Sequence, residues 1–169
     1  MSRRSNRRSS TSPSPPDLVF FVDADLSDKL FHEILEAAGI RFERHDDHFR
    51  PGTDDLEWLQ KAGDMGWIVL SHNRKIRRVS AQTERLMEAS VRAFMLIGDS
   101  FPNPPGRRSA FTQELAENLV RTLPQILRFV RRHPSPWIAK LYRPSTLVDP
   151  PSQGSIKMWL TLQEWLKQR

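Results

Sequence analysis

Leu18-Val19-Phe20-Phe21-Val22-Asp23-Ala24-Asp25 is the stretch on which the reading of this chain turns. Five apolar residues in succession suit a central strand covered on both faces. Such a strand has no reason of its own to end in two carboxylates. In open α/β sheets the crevice beyond the strand ends is where ligands bind. Carboxylates grouped there repel one another unless a cation or a shared proton offsets the charge. Asp23 and Asp25 are therefore candidate ligands of a divalent metal. The plainer alternative is that they cap the helix that follows.

Outward from this strand, apolar periodicity sets the elements. Leu26, Leu30, Ile34, Leu35 and Ala38 form one stripe, which predicts a helix from about Leu26 to Ala38, capped by Ser27 or Asp25 and ended by Gly39. Ile40 to Glu43 reads as a short strand, and His45 to Thr53, with Pro51-Gly52, as a loop. Thr53 or Asp54 caps a second helix that Gly66 closes, and Trp67 to Leu70 is a third strand. Thr83 to Ser90 is helical, Ala93 to Ile97 a strand, and Asp99 to Arg108 a Pro-rich loop. Ser109 caps a long helix in which Pro124 either makes a kink or begins a second helix. Trp137 to Tyr142 is read as the last strand. Residues 144–154 form a Pro-rich linker, and Ser155 to Lys167 an amphipathic helix on Ile156, Trp159, Leu162 and Leu166. Residues 1–16, made of Ser, Arg and Pro, form a disordered basic arm. The main domain thus spans 17–143. The expected fold is α/β: a three-layer α/β/α sandwich with a mostly parallel sheet of four or five strands, plus the C-terminal amphipathic helix.

The 169 residues carry a formal net charge of +6 and no cysteine, which excludes disulfides, thiolate metal sites and a cysteine nucleophile. The charge is unevenly spread. Residues 1–16 hold four Arg and no acid, residues 17–64 hold 5 basic and 13 acidic side chains, and residues 65–169 hold 17 basic and 7 acidic. An acidic half suits cations and a basic half suits a polyanion. No apolar run is long enough to span a bilayer, and no signal-peptide pattern follows the basic start. The expectation is a cytoplasmic protein with no membrane partner.

Three polar positions follow the logic of the opening stretch. Asp23 and Asp25 end the first strand. Asp54 and Asp55 open the second helix, where the dipole favours an anion. Ser71-His72-Asn73 follows the third strand, ahead of Arg74, Lys75, Arg77 and Arg78. In a parallel sheet the first and third strands can be neighbours, so their ends can converge. Magnesium suits such an oxygen-rich site, and the four basic residues are placed to hold a nucleic-acid backbone.

At these residues the chain resembles the PIN-like nuclease domains, particularly the small VapC-type branch of bacterial toxin–antitoxin systems. The stretches that carry the likeness are Phe21-Val22-Asp23-Ala24-Asp25-Leu26, Gly52-Thr53-Asp54-Asp55-Leu56-Glu57-Trp58-Leu59, and Gly66-Trp67-Ile68-Val69-Leu70-Ser71-His72-Asn73-Arg74-Lys75-Ile76-Arg77; Pro136 to Tyr142 looks like the family's last strand. The resemblance implies a metal-dependent ribonuclease using Mg2+ or Mn2+. It implies that Asp23, Asp55 and Asn73 are catalytic and ligate the metal; the residues themselves add Asp25 as a fourth ligand and Arg74, Lys75, Arg77 and Arg78 as the RNA contacts. The resemblance also implies a cognate antitoxin protein as partner. A homodimer through the terminal helix is a further expectation. One departure stands out: the family pattern Thr-x-Asp falls on Ser71, His72 and Asn73, so an amide replaces a carboxylate. Asp25, at a position often Asn in the relatives, offers a compensating charge. Glu84 and Glu57 are weaker candidates for another carboxylate.

Other readings are bland. His45-Asp46-Asp47-His48 is read as a solvated loop before a zinc site. His32 is read as surface, Trp58 and Trp67 as core or rim, and Arg128, Arg131, Arg132 and His133 as residues that favour a helix C-terminus. A noncatalytic PIN-like binding module is the alternative function. A phosphoacceptor receiver domain lacks the Asp it needs after the third strand, and no Gly-rich phosphate loop is present.

Overall fold

The computed structural model describes residues 18–72, 80–98, 108–144 and 153–169. Among them β1 (Phe20–Val22) leads through a 3-10 turn (Ala24–Leu26) into α1 (Lys29–Ala37). Then come β2 (Phe42–Arg44), α2 (His45–His48), α3 (Asp55–Met65), β3 (Ile68–Ser71), α4 (Ser80–Glu88), β4 (Arg92–Ile97), α5 (Arg108–Arg132), β5 (Trp137–Tyr142), β6 (Ser155–Thr161) and α6 (Leu162–Lys167). One six-stranded sheet runs in the order β2-β1-β3-β4-β5-β6. Its first five strands are mutually parallel, and β6 is antiparallel to β5. The α/β class with a mostly parallel sheet is as the sequence predicts.

Strand side chains alternate between two cores because successive residues point to opposite faces. Phe20, Val22, Ile68, Leu70, Phe94, Leu96, Trp137, Ala139 and Leu141 face the layer formed by α1 and α5. Phe21, Val69, Ala93, Met95 and Ile138 face Trp58, Leu59, Ala62, Leu86 and Met87 of α3 and α4. This two-sided burial is why β1, β3 and β4 read as continuous apolar runs. It also brings β1 beside β3, with Phe20, Phe21 and Val22 in register with Ile68, Val69 and Leu70. Chain order reverses direction across the sheet at that pair, so the ends of β1 and β3 form the switch point where α/β sheets bind ligands.

Several local expectations change. The helix predicted over Ser155 to Lys167 is a strand over Ser155–Thr161, which raises the count beyond five, followed by the short α6. Ile138 pairs with Leu160 and Ala139 with Met158, so Trp159 is an extra residue in a bulge. That insertion breaks the two-residue alternation and leaves Ile156, Trp159 and Leu162 at helical spacing. Thr161 then starts α6 with a capping box to Glu164. The loop predicted over His45 to Thr53 contains α2. The first helix starts at Lys29, capped by Asp28, whose carboxylate accepts from the Phe31 N–H at 2.8 Å. Helix α5 already includes Arg108 and continues through Pro124 as one element. Gly66 ends α3 at φ 68°, as its sequence position implies. His32 is buried, against the surface expectation, stacked on Phe42 at 5.5 Å and 18°. Burial, and then the Arg44 charge, lower its pKa.

Chain return to β6 depends on a buried polar relay. Asn118 Nδ2 donates to the Tyr142 carbonyl at 3.2 Å, Thr122 Oγ1 to Asn118 Oδ1 at 3.4 Å, and the Gly154 N–H to Thr122 Oγ1 at 2.9 Å. A Cβ at Gly154 would overlap the Tyr142 carbonyl and the Asn118 amide. Gly154→Ala is therefore expected to cost about 1–3 kcal/mol, the usual range for overpacking. Denaturant unfolding checks this, and an unchanged midpoint would contradict it.

Candidate functional site

Asp23 sits one residue beyond β1, yet its backbone N–H still bonds to the Leu70 carbonyl at 3.0 Å. The ladder with β3 therefore fixes its Cα. Its side chain is fixed as well: Oδ1 accepts from the Ala24 N–H at 2.6 Å and Oδ2 from Ser71 Oγ at 2.9 Å. Asp23 is thus the cap of the 3-10 turn and, at 7 % exposure, a buried carboxylate at the mouth of the sheet. The capping and site readings of this residue are compatible. Ser71, which the resemblance aligns with a Thr, supplies the hydroxyl that orients it.

Asp25 occupies the middle of that turn. Its Oδ1 is buried with no hydrogen-bond partner. Burial first, and then the negative charge of Asp23, push the Asp25 pKa up to about 7. Burial also raises Asp23, the bonds from Ser71 and Ala24 oppose that rise, and the Asp55 charge adds to it.

Asp55 is the first residue of α3, capped by Asp54, whose Oδ1 accepts from the Leu56 N–H at 2.9 Å. Both Asp55 oxygens are held: Trp58 Nε1 donates to Oδ1 at 2.9 Å and Gln82 Nε2 to Oδ2 at 2.6 Å. Trp58 is rigid because its ring stacks on Phe21, with centroids 5.5 Å apart, and Phe21 stacks on Trp67 at the same separation and 2°. His45 and Phe49 complete this aromatic box. The positive field of His45 lowers the Asp23 pKa. Trp58 and Trp67 are core residues, as expected, but Trp58 also orients a site carboxylate. That pairing is visible in the sequence as an i, i+3 spacing on one helix. Gln82, a mid-helix Gln, gives no such signal.

The remaining candidates divide. Asn73, Arg74, Lys75, Arg77 and Arg78 lie outside the described residues. His72 is described: its Nδ1 approaches the Leu96 carbonyl at 3.1 Å, and its ring meets Phe111 edge-on at 4.9 Å. Glu84 pairs with Arg169, and Glu57 is exposed on α3. His48 Nε2 bonds to Glu43 Oε2 at 2.9 Å. Among the described residues no group of three His, Cys, Asp or Glu side chains converges on a point able to hold an ion.

Asp23 and Asp25 nonetheless fit a hard cation. Magnesium keeps several waters and takes one or two carboxylates from the protein. The unpartnered Asp25 Oδ1 is an oxygen free to ligate such a cation, beside the fixed carboxylate of Asp23.

Residues 18–98 match the family model of a PIN like domain. This interval contains β1 to β4 and every candidate carboxylate discussed above. No curated protein and no solved structure matches the chain.

The Asp25 shift has a stability consequence. In the unfolded chain the group ionises at its ordinary 3.8, and in the fold at about 7. The fold favours the protonated form, so this contribution is complete below 3.8, declines as pH rises, and is gone above about 7. Asp25→Asn, which mimics the neutral acid, should flatten the fall in melting temperature across that window. Parallel wild-type and variant curves would contradict the assignment.

Proposed function

We propose that this protein is a metal-dependent endoribonuclease of PIN-like type, acting as the toxin of a bacterial toxin–antitoxin pair. The observation that carries the nuclease reading is the Asp23–Asp25 pair at the β1/β3 switch point, Asp23 buried and Asp25 half-buried with an unpartnered carboxylate oxygen, within the interval that matches a PIN-like domain. Asp55 and Asn73 are the further ligands of this reading. Mg2+ or Mn2+ is the ion, RNA the substrate, and Arg74, Lys75, Arg77 and Arg78 hold its backbone.

A divalent cation bound there supplies a Lewis acid that lowers the pKa of a bound water and offsets charge developing on the scissile phosphate. The protein's own work is positional. Ser71 and the Ala24 N–H hold Asp23, the Leu70 carbonyl fixes its backbone, and Trp58 and Gln82 hold Asp55. With a cation bound, Asp25 would stand as the carboxylate, its charge offset by the ion.

The second reading is a catalytically weak or inactive binding module. Asn73 in place of a carboxylate favours it, as does the lack of a three-residue acidic group among the described residues. Cleavage separates the two. Purified protein with Mg2+ or Mn2+ should cut RNA. Asp23→Asn should lose more than the about 10–100-fold typical of residues that only support a ligand. Ser71→Ala should fall within that range. Equal cleavage by wild type and Asp23→Asn would remove the nuclease reading, and RNA binding without cleavage would leave the module.

The toxin role draws on the likeness of the three motif stretches to the VapC-type branch. Induced expression of wild type in a bacterial host should arrest growth, and Asp23→Asn should not. Growth of both at the same rate would end that role.

A further inference from the structure

The C-terminal half of α5 carries a charge that neither the fold nor the site uses. Between residues 118 and 144 the chain has Arg121, Arg128, Arg131, Arg132, Lys140 and Arg143 and no Asp or Glu. Two of these are engaged: Arg143 pairs with Glu114, and Lys140 lies over the Trp159 ring at 4.2 Å. Arg121, Arg128, Arg131 and Arg132 make no ion pair among the described residues. Arg128, Arg131 and Arg132 are exposed, and the Arg121 Nε is buried with no hydrogen-bond partner.

Helical geometry gathers them. Arg121, Arg128 and Arg132 stand at i, i+7 and i+11, one row on the side opposite the buried Leu119, Ile126 and Val130. Arg131 flanks the row. Thr112 bonds Asp28 at the start of α1, and α1 is only nine residues long, so the end of α5 runs past it. Favourable interaction with the helix dipole is confined to the last turn, where Arg131 and Arg132 lie. It does not account for Arg121 or Arg128.

The chemistry of the row selects a partner. A protein interface has an apolar core. The exposed large hydrophobic residues among the described ones are Met65, Leu162 and Leu166, none of them on α5. Guanidinium groups one and two helical turns apart on one face, with no large hydrophobic residue exposed on the helix, suit the spaced phosphates of a polyanion, which Arg binds bidentately. We propose that the outer face of α5 from Arg121 to Arg132 is a docking surface for the phosphate backbone of RNA. It is separate from the carboxylate pair, because α5 ends at the start of β5 and the pair lies beyond the strand ends. The identity of the polyanion rests on the ribonuclease reading; the surface does not.

The test is binding of labelled single-stranded RNA to the full chain in EDTA, followed across salt concentration. Arg128→Gln/Arg131→Gln/Arg132→Gln should weaken binding and make the log–log salt slope shallower by about 2, from about 0.7 per lost phosphate contact. The corresponding Arg→Lys triple should restore most of the slope, which separates lost charge from lost folding. Unchanged affinity and slope in the Gln variant would overturn the proposal. So would an effect confined to polyglutamate, which would assign the face to an acidic protein. Wild type that binds but never cleaves would end the nuclease reading alone. Wild type that cleaves while the Gln variant binds RNA normally would end this one alone.

Discussion

The Asp23 N–H donates to the Leu70 carbonyl at 3.0 Å, carrying the β1–β3 ladder one residue past the last apolar side chain of β1. The rest of the site follows from this bond. It places a carboxylate where the sheet opens, fixes it against Ser71 of the neighbouring strand, and lets it open the 3-10 turn that presents Asp25. Had α1 begun directly after β1, as Leu26 and Leu30 suggest, Asp25 would be spent on a cap. Asp28 takes that duty, and Asp25 is left with an oxygen that bonds to nothing.

A buried carboxylate beside a half-buried one is costly in an apolar fold. The backbone and Ser71 bonds offset part of the cost for Asp23, and a proton retained near neutrality does so for Asp25. Rigidity comes from Phe21, two residues before Asp23 and on the same face of β1, where it is stacked between Trp58 and Trp67. The same Trp58 holds Asp55, so the aromatic core and the acidic mouth are one mechanical unit. Preorganised anionic groups in a partly dry crevice gain far more from a cation than they would in water.

Much of this was legible in the residues. Apolar runs that end in acids located the mouth of the sheet, and Gly66 and Asp54 marked the ends of α3. What misled was local rule-breaking. The bulge at Trp159 shifted the phase of β6 and made it look helical, and the bonding of Asn118, Thr122 and Gly154, which seats that strand, joins residues distant in sequence. His32 looked like surface because its burial comes from Phe42 on the edge strand, not from its own helix. Gln82 could not be read at all, since its role exists only where α4 meets the start of α3.

Anomalous diffraction from a manganese-soaked crystal would locate a divalent cation at the switch point. One strong peak is expected in direct contact with carboxylate oxygens of both Asp23 and Asp25, absent from crystals of Asp23→Asn. A peak elsewhere on the surface, or none at a concentration that saturates ordinary two-carboxylate sites, would contradict that expectation.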